Sequence, residues 1–351
     1  MPVEFDPQLT PLQSQPGILL IHLTNRCNLN CRHCYLEAGP TCHTELPLEL
    51  ALGALSETER LGLSTVYLSG GEPFLYRELP QVLAFAARQP NLALRISTNG
   101  TLIDAEQVAL AKENNASVQI SIDGPEPYHD EFRRSEGAFR RSSRAIQLLV
   151  QAGVPVTIVV TICQDNLSYL RGLAEWAAGM GVQRFSVQPL LKYGRGAEIE
   201  HKRLTADQLC KLFLELSDLG VAYRGRGLEF ALSYHTKQLF LAHPCAAYVC
   251  NGAGCHRKVR KEIKRLVVRE NGTVLPEIAT LNPRFALGNL REGPLSELVD
   301  RYFHDGYAEF DRLCRRVYRD IMANWPSPLV PWDEIVADQS WARNELVKPG
   351  T

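Results

Sequence analysis

The chain has 351 residues, 45% of them hydrophobic and 22% charged, a balance that excludes a disulfide-stapled mini-protein and a chain disordered along its whole length. Its 38 Lys and Arg nearly cancel its 39 Asp and Glu, so no overall charge attracts nucleic acid or an anionic membrane. No apolar run near the N-terminus approaches the ~20 residues of a membrane span, and no basic leader precedes one. We therefore expect a cytoplasmic protein, in which ten cysteines favour metal binding or catalysis over disulfides.

Short β-branched runs alternate with amphipathic stretches over the first half of the chain. Residues 1–16 contain four prolines and are predicted to form an N-terminal arm. The predicted strands cover residues 18–24, 65–68, 93–97, 117–122, 154–162 and 183–188. The predicted helices cover residues 46–61, 78–88, 104–114, 138–152 and 167–179. Six such units are fewer than the eight that close a barrel, so the sequence predicts an α/β fold with a partial, TIM-like (βα)6 barrel.

The alternation ends near residue 190. A loop is predicted at 192–196, a helix at 205–219, and a hairpin around Asn271-Gly272 that follows a Cys-rich and Gly-rich segment. We place a domain boundary near residue 235. The predicted domains are the arm (1–16), the partial barrel (17–234) and a small α+β domain containing cysteines (235–351).

Three cysteines follow the first predicted strand within one loop. Cys27, Cys31 and Cys34 are spaced by four and three residues, and iron–sulfur clusters are held by thiolates at such short spacings. Three protein ligands leave one iron open, at the barrel end where such folds bind ligands. The alternative is a zinc site completed by His33, His43 or Cys42, although structural zinc more often uses paired Cys-x-x-Cys ligands.

The Cys-x3-Cys-x2-Cys spacing after the first strand of a six-unit barrel resembles the radical S-adenosylmethionine (radical SAM) superfamily. The resemblance implies a [4Fe-4S] cluster on these three cysteines, with SAM bound at the open iron. The second strand leads into a segment similar to the family's GGEP motif, which binds the methionine amino group: Gly70, Gly71, Glu72 and Pro73. Glycines permit close approach of the main chain, and a carboxylate complements an ammonium group.

The next strand ends resemble family segments around the ribose and carboxylate of SAM. These segments contain Ser97 and Asn99 after the third strand, and Ser121 and Asp123 after the fourth. Arg133 resembles the arginine that many members place before a Gly-x-Phe turn, which makes it a candidate partner of the SAM carboxylate; Arg134 is the alternative. Each segment alone is a common turn. Their order, one on each successive strand end, makes the resemblance specific.

The C-terminal third carries a second group of cysteines, Cys245, Cys250 and Cys255. With the hairpin behind them they resemble SPASM or twitch extensions, which bind auxiliary clusters. Glu277 stands where those extensions have a cysteine, and the later cysteines are reduced to Cys314. The three thiols therefore either hold a second Fe–S cluster, with Glu277 or Cys314, or are merely packed. A basic run at 257–265 either docks an acidic or phosphorylated group or is a solvated surface segment.

The resemblance implies an enzyme that cleaves SAM reductively and abstracts a substrate hydrogen with the 5′-deoxyadenosyl radical. The expected partners are a reductant such as flavodoxin or ferredoxin and a substrate that is a peptide or a small molecule, with no nucleic acid and no membrane. We expect a maturase of a ribosomal peptide. The alternatives are biosynthesis of a cofactor, haem precursor or small natural product, and an iron–sulfur or zinc scaffold without SAM turnover.

Overall fold

The computed structural model describes residues 17–249 and 265–342. Within them the strands are β1 (Gly17–Thr24), β2 (Leu63–Gly70), β3 (Ala93–Thr98), β4 (Ser117–Ser121), β5 (Val156–Ile162), β6 (Arg184–Pro189), β7 (Glu229–Leu232), β8 (His235–Thr236), β9 (Arg265–Val268), β10 (Thr273–Pro276), β11 (Gly288–Asn289) and β12 (Leu329–Val330). Ten of these strands form one sheet in the order β11-β10-β9-β1-β2-β3-β4-β5-β6-β7. Pairing is parallel from β9 through β7, and β10 and β11 are antiparallel to their neighbours.

Helices follow most of the parallel strands. In the described residues they are α1 (Leu48–Ser56), α2 (Thr58–Leu61), α3 (Leu79–Ala86), α4 (Ala105–Glu113), α5 (Glu126–Arg133), α6 (Ala138–Gln151), α7 (Leu170–Gly179), α8 (Ala206–Ala222), α9 (Lys237–Ala242), α10 (Leu295–Asp305), α11 (Tyr307–Asn324) and α12 (Trp332–Trp341). Capping boxes begin α4, at Asp104, and α8, at Thr205. None of these helices combines the length and the apolarity that crossing a bilayer requires.

The predicted succession of six parallel strands and intervening helices is confirmed, with three differences. The single helix predicted at 46–61 is two helices that meet at Glu57, whose carboxylate accepts a hydrogen bond from the Ser296 amide at 2.9 Å. Helix α5 was missed because its sequence is mostly polar, although His129 and Phe132 on it are buried. Strand β7 was missed because four residues give too short an alternation to recognise.

The two faces of the parallel sheet differ in polarity. On β3 and β4 the outward-facing Leu94, Ile96, Val118 and Ile120 are buried in the apolar core. The alternate positions along these strands are polar and half-buried. A parallel sheet covered on both faces is apolar on both, so the polar face borders a cavity rather than a packed layer. That face is the concave inner side of the partial barrel.

The C-terminal third continues the barrel sheet. Strand β9 pairs in parallel with β1, from Ile18 opposite Arg265 to Ile21 opposite Val268. The predicted hairpin is confirmed: β9 and β10 are joined at Asn271-Gly272, where Gly272 has a φ of 87°. The N-terminal arm lies outside the described residues, and the domain boundary near residue 235 stays a prediction.

Helix α12 packs against both parts of the chain. Trp332 is buried at its start, where its ring meets that of Phe240 edge-on at 5.1 Å. Acidic residues of the same helix pair with the barrel side: Asp338 accepts a hydrogen bond from the Tyr193 hydroxyl at 3.0 Å, and Glu334 forms an ion pair with Arg203. The helix therefore fixes the segment that follows β6.

We expect Trp332→Ala to lower the free energy of unfolding by about 3–5 kcal/mol, because it removes a fully packed indole from the core. Urea unfolding followed by circular dichroism measures the change. Leu241→Ala is the matched control, since Leu241 is mostly exposed and its truncation should change stability little. Equal stability of the two variants would show that α12 is not packed as described.

Candidate functional site

The three N-terminal cysteines lie together in the loop that follows β1. Cys27 and Cys31 are buried and Cys34 is half-buried, and they pack with Leu29 and Ala38. Backbone hydrogen bonds shape this cysteine loop: the Cys27 amide donates to Gly39 O at 3.1 Å, and the Cys34 amide donates to Cys31 O at 3.4 Å. The short sequence spacing thus places the three cysteines in one small packed cluster.

The surroundings of these sulfurs fit an iron–sulfur cluster. Asn99 Nδ2 donates to Cys27 Sγ at 3.8 Å, and Arg133 Nη1 donates to Cys31 Sγ at 3.9 Å. Burial raises the pKa of the Cys27 thiol to about 12 and also raises that of Cys31, so a bound cationic group is needed to favour thiolates there. These donors would stabilise the sulfur charge.

The zinc alternative finds less support in this arrangement. Among residues 17–249 and 265–342, no three His, Cys, Asp or Glu side chains are arranged to hold one metal ion. Structural zinc requires four ligands that converge on one point, whereas the thiolates of a cubane bind different iron atoms. The assignment of Cys27, Cys31 and Cys34 as cluster ligands stays a prediction.

Arg195, in the segment that follows β6, holds the cysteine loop. Its Nε donates to Cys31 O and its Nη2 to Ala38 O, both at 2.8 Å, and its amide donates to Cys34 O at 3.0 Å. A Cβ on the preceding Gly194 would lie 2.5 Å from Cys34 O, so only glycine permits this approach. Sequence reasoning predicted only a loop here. The glycines on either side of Arg195 were the available signal.

The Gly70–Pro73 segment is fastened to the start of the cysteine loop. A Cβ on Gly70 would lie 2.2 Å from Thr24 O, and one on Gly71 would lie 2.2 Å from Arg26 O. The Gly71 amide donates to Thr24 O at 2.6 Å. Close approach of main chain explains both glycines, as the sequence predicted, although the close neighbour here is the chain's own backbone.

The Glu72 carboxylate is fully buried and joins the ends of β2 and β3. It accepts hydrogen bonds from Thr98 Oγ1 at 2.7 Å, from the Asn99 amide at 2.9 Å and from the Phe74 amide at 3.2 Å. Burial raises its pKa to about 7, against the effect of these donors. Glu72 therefore positions Asn99, and its predicted contact with SAM stays a prediction.

Three other predicted SAM residues lie at neighbouring strand ends. Asn99 is buried and also donates to Asn28 Oδ1 at 2.9 Å, which links β3 to the cysteine loop. Ser97 is half-buried and donates to Gln119 at 3.1 Å on the inner face, and Ser121 is half-buried one strand further on. Asn28 was not singled out from the sequence, since an asparagine between cysteines has no distinctive pattern.

Asp123 and Arg133 form a buried ion pair below the cysteine loop. Arg133 Nε donates to Asp123 Oδ2 at 2.8 Å, and Asp123 Oδ1 accepts from the Thr161 amide at 3.0 Å. Burial opposes the charged carboxylate, but the guanidinium beside it holds the pKa of Asp123 below its usual value. Arg134 instead has a left-handed backbone and reaches Glu198 at the surface. Of the two candidates, Arg133 faces the cysteines.

Buried histidines surround the site, and of these only His33 was considered from the sequence, as a ligand of the alternative zinc site. His22 Nε2 lies 3.2 Å from the Tyr35 hydroxyl, His33 stacks on Phe132 at 4.2 Å, and His129 Nδ1 accepts from the Asp123 amide at 3.2 Å. Burial lowers the pKa of His22 and His33 to about 3 and that of His129 to about 4. All three are therefore neutral near pH 7.

The second group of cysteines is only partly described. Cys245 is half-buried within a short 3-10 turn (Pro244–Ala247), whereas Cys250, Cys255 and most of the basic run 257–265 lie outside the described residues. Cys314 is buried on α11, and its pKa is raised by burial and by the charge of Glu277. An auxiliary cluster stays a prediction.

Comparison with known proteins identifies the family. The Radical SAM superfamily model matches residues 21–177. The pre-heme d1 synthase of Dinoroseobacter shibae is 34% identical over 304 residues, which cover 80% of this chain and 72% of that protein. The chain belongs to the radical SAM superfamily. It is therefore a member of a superfamily of enzymes that use a [4Fe-4S] cluster and SAM.

Other radical SAM proteins match the chain over different lengths. The subtilosin biosynthesis protein AlbA of Bacillus subtilis is 28% identical over 81% of this chain and 57% of its own length. Streptococcus suis SuiB, crystallised with S-adenosylmethionine, shares the fold with a TM-score of 0.66 and 21% identity, over 86% of this chain and 68% of that one. This chain spans about half the length, 48%, of several curated relatives that it matches.

We expect Arg195→Ala to weaken retention of iron about tenfold or more, because each of its charged hydrogen bonds to the cysteine loop contributes about 1.5–3 kcal/mol. Iron remaining after challenge with a chelator measures retention in the reconstituted protein. Arg140→Ala is the control, since this exposed arginine pairs with Glu126 at the surface. Retention equal to that of the unmodified protein would remove Arg195 from the site.

The low pKa of His129 predicts a pH-dependent stability. Between pH 6.5 and about 4 the unfolded chain binds a proton that the folded chain does not, so His129 destabilises the fold progressively as pH falls. We expect His129→Gln to reduce the slope of unfolding free energy against pH by up to about 1.4 kcal/mol per pH unit. Urea unfolding of the apo-protein measures the slope, and exposed His304→Gln should leave it unchanged.

Proposed function

We propose that this chain cleaves SAM reductively at a [4Fe-4S] cluster held by Cys27, Cys31 and Cys34, and that it uses the 5′-deoxyadenosyl radical to modify a ribosomal peptide. A reductant such as flavodoxin or ferredoxin supplies the electron. The single observation that carries the proposal is that donors from two other elements reach the sulfurs of the cysteine loop. Asn99 from β3 and Arg133 from α5 both reach the sulfurs.

The chain's own residues bind, orient and shield in this proposal. When bound, the cluster supplies the electron for cleavage of the C–S bond of SAM. Arg133, held by Asp123, offers its guanidinium to the carboxylate of SAM. Glu72 fixes Asn99, and the half-buried Ser97 and Ser121 present hydroxyls on the inner face. The stacked rings of His33 and Phe132 cover the loop and exclude water.

A peptide substrate is supported by the relatives named for maturation or bacteriocin biosynthesis. AlbA matches this chain over 288 residues, a length that includes part of the C-terminal third. A sporulation killing factor maturation protein and a mycofactocin maturase are each 31% identical to this chain, over 51% and 56% of its length. The similarity to AlbA therefore extends into the C-terminal third, which the two shorter matches need not reach.

A second candidate is modification of a haem precursor. The specific observation that favours it is the alignment with the pre-heme d1 synthase, which is both higher in identity and long enough to extend past residue 234. The two candidates share every step up to hydrogen abstraction. They differ only in the molecule that occupies the inner face.

We expect the anaerobically reconstituted protein to release 5′-deoxyadenosine from SAM with dithionite, and the Cys27/Cys31/Cys34 triple Ala variant to release none, because a cluster without its protein thiolates is not held. Liquid chromatography with mass spectrometry measures the nucleoside. Cys42→Ala is the matched control: it should keep both iron and activity, whereas a zinc site completed by Cys42 would lose its metal.

Iron analysis of the same triple variant tests the auxiliary cluster. Iron near zero would indicate a single-cluster enzyme, and residual iron would assign a second cluster to the C-terminal cysteines. Absence of 5′-deoxyadenosine from the unmodified, iron-loaded protein would favour the scaffold alternative. To separate the substrate classes, turnover is compared with a peptide encoded beside the gene and with iron coproporphyrin III. The substrate should lose a hydrogen or change mass only in the presence of SAM.

A further inference from the structure

A cavity of about 530 Å³ opens at the base of the partial barrel, at the end opposite the cysteine loop. Side chains from five consecutive strands, β3 to β7, reach it: Arg95, Ser117, Thr157, Arg184 and Glu229. Neighbouring strands lie about 4.8 Å apart, so β3 and β7 would be about 19 Å apart in a flat sheet. They line one cavity because the sheet curves around it. The cavity therefore belongs to the concave inner face.

Two of its arginines have cationic groups that the protein leaves unpaired. Neither Arg95 nor Arg184 forms an ion pair or a side-chain hydrogen bond with any residue in 17–249 or 265–342. The Arg95 guanidinium lies over the Tyr67 ring, 5.3 Å from its centroid, a contact that leaves its N–H donors available. In contrast, Arg195 beside the cysteine loop donates to Cys31 O and Ala38 O. Unpaired guanidinium groups in a concave site favour an anionic ligand.

The inner face of the strands continues from the cavity towards the strand ends that carry the predicted SAM residues. Arg95 and Ser97 are two residues apart on β3, which places their side chains on the same face about 7 Å from each other. Arg184 and Ser186 have the same relation on β6, and both are half-buried. A molecule anchored at the two arginines would therefore extend towards the strand ends at which hydrogen abstraction is proposed.

We propose that Arg95 and Arg184 bind a carboxylate of the substrate and so set how far the substrate enters the barrel. The planar guanidinium pairs with a carboxylate through two parallel hydrogen bonds. Glu229 also lines the cavity and lies opposite Arg184 in the register of β6 and β7. Its one negative charge does not cancel the charge of the arginines, so the lining is cationic on balance and selects an anion of limited charge. This inference rests on the proposed function, because both candidate substrates, an acidic peptide and a haem precursor, carry carboxylates.

The test measures binding separately from SAM cleavage. Anaerobic calorimetry on the cluster-loaded protein uses two matched pairs of probes: coproporphyrin III with its tetramethyl ester, and a glutamate-containing peptide with its glutamine counterpart. We expect at least one of the two charged probes to bind, and the neutral counterpart of that probe to bind more weakly. Arg95→Gln and Arg184→Gln should each weaken the charged probe about 10- to 150-fold, the loss that accompanies one charged hydrogen bond.

The Arg140→Gln variant is the control. Arg140 is exposed and is not one of the residues that line the cavity, so this variant should bind the probes like the unmodified protein. Should either Gln variant fail to fold, Arg95→Lys and Arg184→Lys keep the charge without the paired geometry, and are expected to bind more weakly than the unmodified protein. Competition by citrate, and not by inorganic phosphate, supports a carboxylate over a phosphate ligand.

Several results would overturn the inference. These are absence of binding by both charged probes, equal binding of charged and neutral probes, unchanged binding in the Arg95 and Arg184 variants, and stronger competition by phosphate than by citrate. Failure of the proposed function gives a different result. In that case the unmodified protein forms no 5′-deoxyadenosine, whatever the arginine variants do to probe binding.

Discussion

The approach of the β2 end to the β1 end is the constraint on which the site depends. The Gly71 amide donates to Thr24 O at 2.6 Å, and any side chain on Gly70 or Gly71 would collide with main-chain oxygen atoms. This contact fixes where the cysteine loop begins. It also places Glu72 so that its carboxylate reaches the end of β3, and Asn99 then reaches Cys27. One steric requirement therefore aligns three successive strand ends.

Charge balance around the thiols follows from the same geometry. Burial of the Arg133 guanidinium carries a high desolvation cost. The Asp123 carboxylate, within hydrogen-bond distance, offsets this cost. Arg195 is satisfied instead by the carbonyls of the cysteine loop. The histidines nearby are neutral, so the positive charge beside the sulfurs comes from arginines, whose charge does not change near physiological pH.

Much of this arrangement could be predicted from local sequence. The alternation of strands and helices, the cysteine spacing and the Gly70–Pro73 segment each combine a short-range pattern with a physical reason. Three features could not be predicted in this way. Arg195 contacts Cys31 across 164 positions, Glu72 contacts Thr98 across 26, and β9 pairs with β1 from the far end of the chain. Such contacts depend on tertiary packing, and a single sequence without periodicity at those positions carries no sign of them.

The pairing of β9 with β1 has a consequence for assembly. Strand β1 carries the cysteine loop, yet one of its two edges is covered only after more than 240 further residues have been made. Until then its N–H and C=O groups are exposed, and pairs so distant in sequence form slowly. A ribosome-bound intermediate would hold the cysteines on an unfinished sheet. Closure of this edge then becomes a late step of folding, which waits for synthesis of the C-terminal hairpin.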